Sequence, residues 1–257
     1  LDFAIDNGIN KIETAPGYNN EKIIGNFLEN YKYSRKIEIT TKISSLTQSK
    51  NKFDQIYKSI NKSQYNLRYQ INTIMLHSAD DTNFLIKNFL KFKEIKKIFN
   101  IKNLGISIYD TSQFKKFKNF SQKITIQLPT NIINDKFLKY EFQKNFNIQG
   151  RSIFLQGLLL NKKVKLKLSK KNKFKHLKYF NYLKKNNIDP LEICMSIMRH
   201  RRINNYVLGF DDKKQLSAFL KNKLSNRNYS DHLKNIKKIF KNSFLDDPRK
   251  WNYNFNI

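Results

Sequence analysis

Ile37-Glu38-Ile39-Thr40-Thr41-Lys42, then Phe53, Ile56 and Ile60 at helical spacing, then Ile74-Met75-Leu76-His77: this run decides how the chain folds. Its two ends are short and rich in β-branched and aliphatic residues, the composition of strands, while apolar residues three and four apart between them line one face of a helix. Strand, helix, strand in this order is a βαβ unit, whose strands run parallel because the helix returns the chain to its starting end.

The alternation continues outward in both directions. Upstream lie the strand-like Lys11-Ile12-Glu13 and an amphipathic stretch from Glu21 to Tyr31, with Ile23, Ile24, Phe27, Leu28 and Tyr31 recurring at helical spacing. Downstream come a helix over Phe84 to Phe99, strands at Leu104-Gly105-Ile106-Ser107, Ile124-Thr125-Ile126-Gln127 and Asn147-Ile148-Gln149-Gly150, a helix from Pro190 to Met198, and a strand at Tyr206-Val207-Leu208-Gly209. A unit of about 30 to 35 residues suits either an open doubly wound sheet or a closed barrel. No Gly-x-Gly-x-x-Gly fingerprint marks the open form, so the expectation is an α/β protein of the (β/α)8 barrel type. Seven strands are visible. Residue 1 is Leu, the Met residues fall at 75, 195 and 198, and Leu1 to Gly8 reads as the end of a helix. The expectation is therefore one barrel domain over 1–257 that lacks its first strand, with a C-terminal tail from about residue 225.

Composition bounds the function. The chain has 257 residues, 39% hydrophobic and 14% aromatic, with 50 Lys+Arg against 20 Asp+Glu, a formal charge of +30. That apolar content supports a sizeable core and excludes a wholly disordered chain. The single Cys194 excludes a disulfide framework or a Cys-based zinc module, and points to a reducing, cytoplasmic setting. No window approaches the roughly 20 apolar residues of a membrane span, and residues at the start of the given sequence do not show a basic segment followed by an apolar one, the pattern of a signal peptide. Two readings of the charge stand side by side. Lys, Asn and Ile are abundant from end to end, as nucleotide bias at exposed positions would give; a nucleic-acid surface would need clustering on one face. The even spread favours bias, so nucleic acid is not expected as a partner, while a phosphate-bearing small molecule would be drawn to the field. His176, His200 and His232 fall in basic segments and are expected at the surface. Cys194 sits on the apolar stripe after Pro190 and is expected buried, not nucleophilic.

In a barrel the reactive side chains stand at the C-terminal ends of the strands. There the first visible strand ends in Glu13, with Tyr18 in its loop; the next ends in Lys42 and the next in His77. A phenol is a weak acid, of reference pKa about 10. A nearby ammonium favours its phenolate and so eases proton donation, a carboxylate keeps the ammonium charged and aimed, and an imidazole can bond the same substrate oxygen. This equipment suits reduction of a carbonyl, with hydride from a cofactor because no side chain can donate one.

The segment Gly8-Ile9-Asn10-Lys11-Ile12-Glu13-Thr14-Ala15-Pro16-Gly17-Tyr18, followed by Glu21 and Ile24-Gly25, resembles the aldo-keto reductase family. Thr41-Lys42, Leu76-His77, Leu104-Gly105-Ile106-Ser107, Ile126-Gln127 and Leu208-Gly209 follow in the family's order. Gln127-Leu128-Pro129-Thr130-Asn131, Arg151 to Leu159 and Asp247-Pro248-Arg249-Lys250-Trp251 look like the branch found among bacterial surface-polysaccharide and sugar-biosynthesis genes. The resemblance implies a barrel holding NADPH (or NADH) at its mouth, with Tyr18 as general acid, Lys42 beside it, Glu13 in the Asp position pairing with Lys42, and His77 orienting the carbonyl. By the same resemblance Ser107 and Gln127 bond the nicotinamide carboxamide, Ser152, Phe154, Gln156, Gly157 and Leu158 line the pyrophosphate, and Gly209 and Gln215 lie near the adenosine; no metal is implied. The implied substrate is a small-molecule carbonyl, on a sugar or nucleotide sugar.

Departures accompany these matches. Glu13 replaces Asp, which sets the carboxylate about 1 Å further out. The loop between Tyr18 and Glu21 is one residue short, and Ile108 stands where an Asn is usual. Asp211 replaces a base, and Lys214 and Phe219 replace a Glu and an Asn. They support an alternative, a barrel without catalysis that binds a ligand or partner.

Overall fold

The computed structural model describes residues 1–31, 36–163, 168–222 and 227–251. The chain divides into two compact units, Leu1–Leu128 with Phe142–Gln149, and Pro129–Glu141 with Gly150–Ile257.

In the first unit the helix α1 (Asp2–Asp6) leads into β1 (Lys11–Glu13), α2 (Glu21–Glu29), β2 (Glu38–Ile43), α3 (Lys52–Leu67), β3 (Ile71–Leu76), α4 (Thr82–Lys87), α5 (Phe89–Ile98), β4 (Asn103–Ser107), α6 (Thr111–Lys115) and β5 (Ile124–Pro129). The strands β1 to β5 pair in sequence order and all in parallel. β6 (Phe146–Arg151) joins beside β5, from Asn145, whose carbonyl accepts from Ile124, to its end in the second unit, where the carbonyl of Arg151 accepts from Thr130. Sequence-ordered parallel strands with helical crossovers give the α/β architecture the sequence implied.

Several boundaries differ from expectation; the helix begun at Pro190 ends at Met195 and not at Met198, and two of the differences have a clear local reason. β3 begins at Ile71, three residues early, because its opening Asn72 and Thr73 hide the strand pattern. The register of β2 against β3 shifts between Ile39 and Thr40, and Asn72 Oδ1 accepts from the Ile39 amide at 2.8 Å, standing in for the carbonyl that the bulge removes. The helix expected over Phe84 to Phe99 is two helices. They meet at Asn88, whose side chain turns back onto the Phe84 carbonyl at 2.8 Å and ends the first.

Ile24 and Leu28 of α2 pack against Ile37, Ile39, Leu67 and Ile71. The helices come so close that Cα of Gly25 lies against the end of α3: a Cβ there would stand 2.1 Å from the Asn66 carbonyl oxygen.

The second unit carries α7 (Lys170–Lys185), α8 (Pro190–Met195), β7 (Asn205–Tyr206), α9 (Lys213–Lys221) and α10 (Ser230–Phe240). β7 is shorter than expected and leaves Val207, Leu208 and Gly209 outside; the Val207 amide donates to the Gly150 carbonyl of β6 at 2.8 Å. Tyr179, Leu183, Ile193, Cys194, Ile236 and Phe240 form its core, into which Trp251 packs. Burial pushes the Cys194 thiol well above its usual range, which fits a packing residue. His176 contradicts the expectation of surface exposure. The basic sequence around it conceals a helix, α7, whose inner face carries His176, Tyr179 and Leu183 at helical spacing, all buried. Residues 225–226 and 252–257 of the expected tail lie outside the described residues. Among the described residues no helix is long and apolar enough to cross a membrane.

Candidate active site

Strand alternation sorts β2 into two chemistries. Thr41 faces the helices, where its hydroxyl donates to Glu21 Oε1 at 2.6 Å, and Ser63 donates to the same oxygen at 2.8 Å. Lys42, one residue on, therefore points to the opposite face. Only 1% of its side chain is exposed, a state in which lysine is found only when paired. Its Nζ donates to Glu13 Oε1 at 2.6 Å and to the Thr14 carbonyl at 3.4 Å.

Glu13 reaches further. Its second oxygen accepts from Gln127 Nε2 at 2.6 Å, and Gln127 Nε2 also donates to Gln149 Oε1 at 3.2 Å. β1 and β5 are four strands apart in the sheet, about 19 Å if it were flat. A direct bond between their side chains requires the sheet of the first unit to curl until these ends meet. The extra methylene of Glu13 thus does not misplace Lys42; it lets one carboxylate hold a strand on each side. Gln149 was missed in the sequence, although the pattern of Asn147, Ile148 and Gln149, polar at alternate positions, carries the signal of a polar inner face.

The loop after β1 sets Tyr18. Pro16 opens a 3₁₀ turn through Tyr18, Asn19 reverses the chain in the left-handed region at φ 53°, and Thr14 Oγ1 donates to Asn20 Oδ1 at 2.5 Å. Tyr18 is 50% exposed. Lys42 Nζ stands 5.2 Å from the centre of its ring, and the His77 ring meets it edge-on at 6.1 Å. His77 follows β3 and is anchored by its amide on the Ile43 carbonyl at 2.9 Å. Glu13, Tyr18, Lys42 and His77 are thus brought together at the C-terminal ends of β1, β2 and β3. The Tyr18 hydroxyl, bonded to no described residue, is free to meet a ligand.

Ser107 and Gln127 are register partners on β4 and β5, both 1% exposed. The Glu13 carboxylate only accepts, which turns the Gln127 NH2 towards it and leaves Gln127 Oε1 as an acceptor. The Ser107 hydroxyl bonds no described residue. A donor and an acceptor side by side match a primary carboxamide, so these residues fit the nicotinamide end of the implied cofactor. Ile108, by contrast, is fully buried and offers no amide side chain.

The second unit holds the remaining sequence-predicted residues. The loop after β6 has positive φ at Ser152 (63°), Leu155 (46°), Gln156 (51°) and Gly157 (81°). Each non-glycine residue in this region costs about 1 kcal/mol or more, so the turn persists only because its surroundings fix it. The Leu158 amide closes it on the Leu155 carbonyl at 3.0 Å. From α7, His176 Nε2 meets the Leu158 carbonyl at 2.7 Å and must be the donor, and Tyr179 donates to Leu159 at 3.0 Å. Burial holds the His176 imidazole below its ordinary pKa, partly offset by this bond. Phe154 packs against Phe210 and Phe219, with ring centres 6.3 and 6.4 Å away. Gln215, at the start of α9, is tied to Asp211: its Oε1 accepts from the Asp211 amide at 3.1 Å and its Nε2 donates to the carboxylate at 3.3 Å. Gly209 has open space where a Cβ would stand.

Comparison with known proteins agrees with this chemistry. The model of the "Aldo/keto reductase family" matches residues 1–239. Among curated proteins no significant match is found. Among solved structures, the holo form of aldo-keto reductase AKR11C1 from Bacillus halodurans superposes with a TM-score of 0.71 at 18% identity, over 93% of this chain and 85% of that one. The glycerol dehydrogenase AKR11B4 from Gluconobacter oxydans gives 0.63 at 20% identity, over 93% and 83%. MGS-M4, an aldo-keto reductase from a Medee basin deep-sea metagenome library, gives 0.59 at 16%, over 92% and 84%. These structures share the fold, and the family match spans nearly the whole chain: it belongs to the aldo/keto reductase family, and is an NAD(P)H-dependent oxidoreductase acting on carbonyls.

Proposed function

We propose that the chain reduces an aldehyde or ketone on a sugar or nucleotide sugar, in the cytoplasm, with Tyr18 as the proton donor. The observation that carries the reading is the grouping of a half-exposed phenol, a buried ion-paired lysine and an imidazole at adjoining strand ends. When bound, the nicotinamide cofactor supplies the hydride. Tyr18 then gives its proton to the oxygen as negative charge builds there; Lys42 stabilises the phenolate left behind, and Glu13 keeps Lys42 in place and charged. His77 bonds the same oxygen and sets the angle of the carbonyl.

In this reading Ser107 and Gln127 hold the carboxamide, while Ser152, Phe154, Gln156, Gly157, Leu158, Gly209 and Gln215 serve the rest of the cofactor. NADPH is the family's usual choice; Asp211, where a base would meet a 2′-phosphate, keeps NADH open. A polyhydroxylated substrate accords with the name of the glycerol dehydrogenase relative, and the charge of +30 favours one that carries phosphate. An eight-stranded barrel is the fuller form of the fold under the same reading, supported by the curl that joins Glu13 to Gln127.

The test is Tyr18→Phe. Loss of the hydroxyl should lower carbonyl reduction by about 10²-fold or more, while cofactor binding, followed by the fluorescence of added NADPH and NADH, stays within twofold. A variant that still turns over at the parent rate rules out Tyr18 as the donor. Absence of saturable binding of either cofactor to the parent chain favours the alternative, a barrel without redox chemistry.

A further inference from the structure

Within the first unit, the chemistry above uses only the C-terminal ends of the strands. At the opposite ends, where β4, β5 and β6 begin, lies a cavity of about 480 Å³. Lys93 and Lys96 from α5, Lys102 just before β4 and Lys123 just before β5 line it, with Asn103 and Asn147 at the starts of β4 and β6. No carboxylate lines it, and among the described residues none of the four lysines forms an ion pair. Glu94, on the same helix, is held by Lys91 at 2.8 Å.

Compositional bias explains lysines scattered singly over exposed faces. It does not explain four from three stretches of chain gathered on one concavity without an acid, where like charges repel and a single Glu would relieve them. The two amides are also set in place: Asn103 Nδ2 donates to Thr73 Oγ1 and Asn147 Nδ2 to Thr125 Oγ1, each at 3.3 Å. The second N–H of each has no partner among the described residues. The volume falls in the range of small-ligand sites.

We propose that this cavity is a binding site for a small multiply phosphorylated anion of the diphosphate or triphosphate class, separate from the carbonyl-reducing site. Asn103 and Ser107 mark the two ends of β4, four residues or about 13 Å apart. That exceeds the screening length of about 8 Å at physiological salt, so solvent-exposed charge bound here is largely screened from the opposite strand ends.

The experiment is a calorimetric titration of inorganic tripolyphosphate into three proteins: the parent, the Lys96→Gln/Lys123→Gln pair, and the Lys22→Gln/Lys62→Gln pair, which removes the same charge from exposed positions of α2 and α3. The parent should show one saturable site, weakened about tenfold in the first pair because each close lysine–phosphate contact is worth several-fold even in water. The second pair should bind within twofold of the parent. Equal weakening in both pairs, or no saturation, would show diffuse attraction and overturn the site. Binding that persists in the first pair and is displaced by NADPH would place the anion with the cofactor and overturn it as well.

Discussion

Glu13→Gln removes one charge and leaves the side chain's length intact, so it isolates what the carboxylate does. Glu13 accepts two hydrogen bonds of 2.6 Å, one from a lysine with 1% of its side chain exposed and one from a buried amide. In the variant the new amide can still offer oxygen to Lys42, but its NH2 then faces the Gln127 NH2, donor against donor. Turning Gln127 over to relieve this breaks its bond to Gln149 Oε1. Hydrogen bonds to a charged partner are worth about 1.5–3 kcal/mol each, and breaking a buried pair costs roughly 3–5 kcal/mol. Glu13 keeps 14% of its side-chain surface in contact with water, which favours the lower end, about 3 kcal/mol. For a chain of this size that lowers Tm by roughly 6–12 °C. Urea unfolding measures the loss, and a cycle with Gln127→Ala should return a coupling of about 1 kcal/mol or more between the two positions. Turnover should fall along with stability because Lys42 loses its anchor. A variant within about 0.5 kcal/mol of the parent, the spread of ordinary surface substitutions, would refute the idea that this carboxylate ties the two strand ends together.

Gly25→Ala should cost about 3 kcal/mol or more, or prevent folding, because its Cβ would stand 2.1 Å from the backbone oxygen of Asn66, and backbone cannot swing aside as a flexible side chain can; soluble yield and urea midpoint report it. His176 makes stability depend on pH. Its folded pKa is lowered, so as pH falls below the unfolded value of about 6.5 the unfolded chain takes up a proton that the folded chain refuses, and stability drops. His176→Gln keeps a donor for the Leu158 carbonyl and should flatten the stability profile between about pH 5 and 7; an unchanged slope would show that His176 does not set it.

The regular order of strands was legible because parallel strands buried on both faces read as apolar runs, and Ile74–Leu76 and Leu104–Ser107 stood out for that reason. The start of β3 was not, since Asn72 and Thr73 are polar where a strand is buried, and only the bulge opposite explains why an amide belongs there. α7 was hidden differently: lysines on its outer face swamp an inner stripe of His176, Tyr179 and Leu183. At the site, residue types at strand ends could be read one by one, but the bond from Glu13 to Gln127 spans positions 114 apart and depends on the curl of the sheet, which local pattern does not encode.

Lysine shows most clearly where composition stops being informative. Lys42 has the same side chain as the many lysines that give the chain its charge, yet its partner is a carboxylate at 2.6 Å, so the candidate site adds little to the positive field around the protein. Lys58, paired with Asp54 at 2.8 Å on the exposed face of α3, gains about 0.3–0.5 kcal/mol from that pairing and serves mainly solubility. Half-buried Lys96 and exposed Lys123 have no carboxylate to balance them among the described residues, and border a concavity that a phosphate could fill. What separates the three cases is whether an acid lies within reach and whether water can screen the charge, and both are set by the strand ends and helix faces to which the fold assigns each residue.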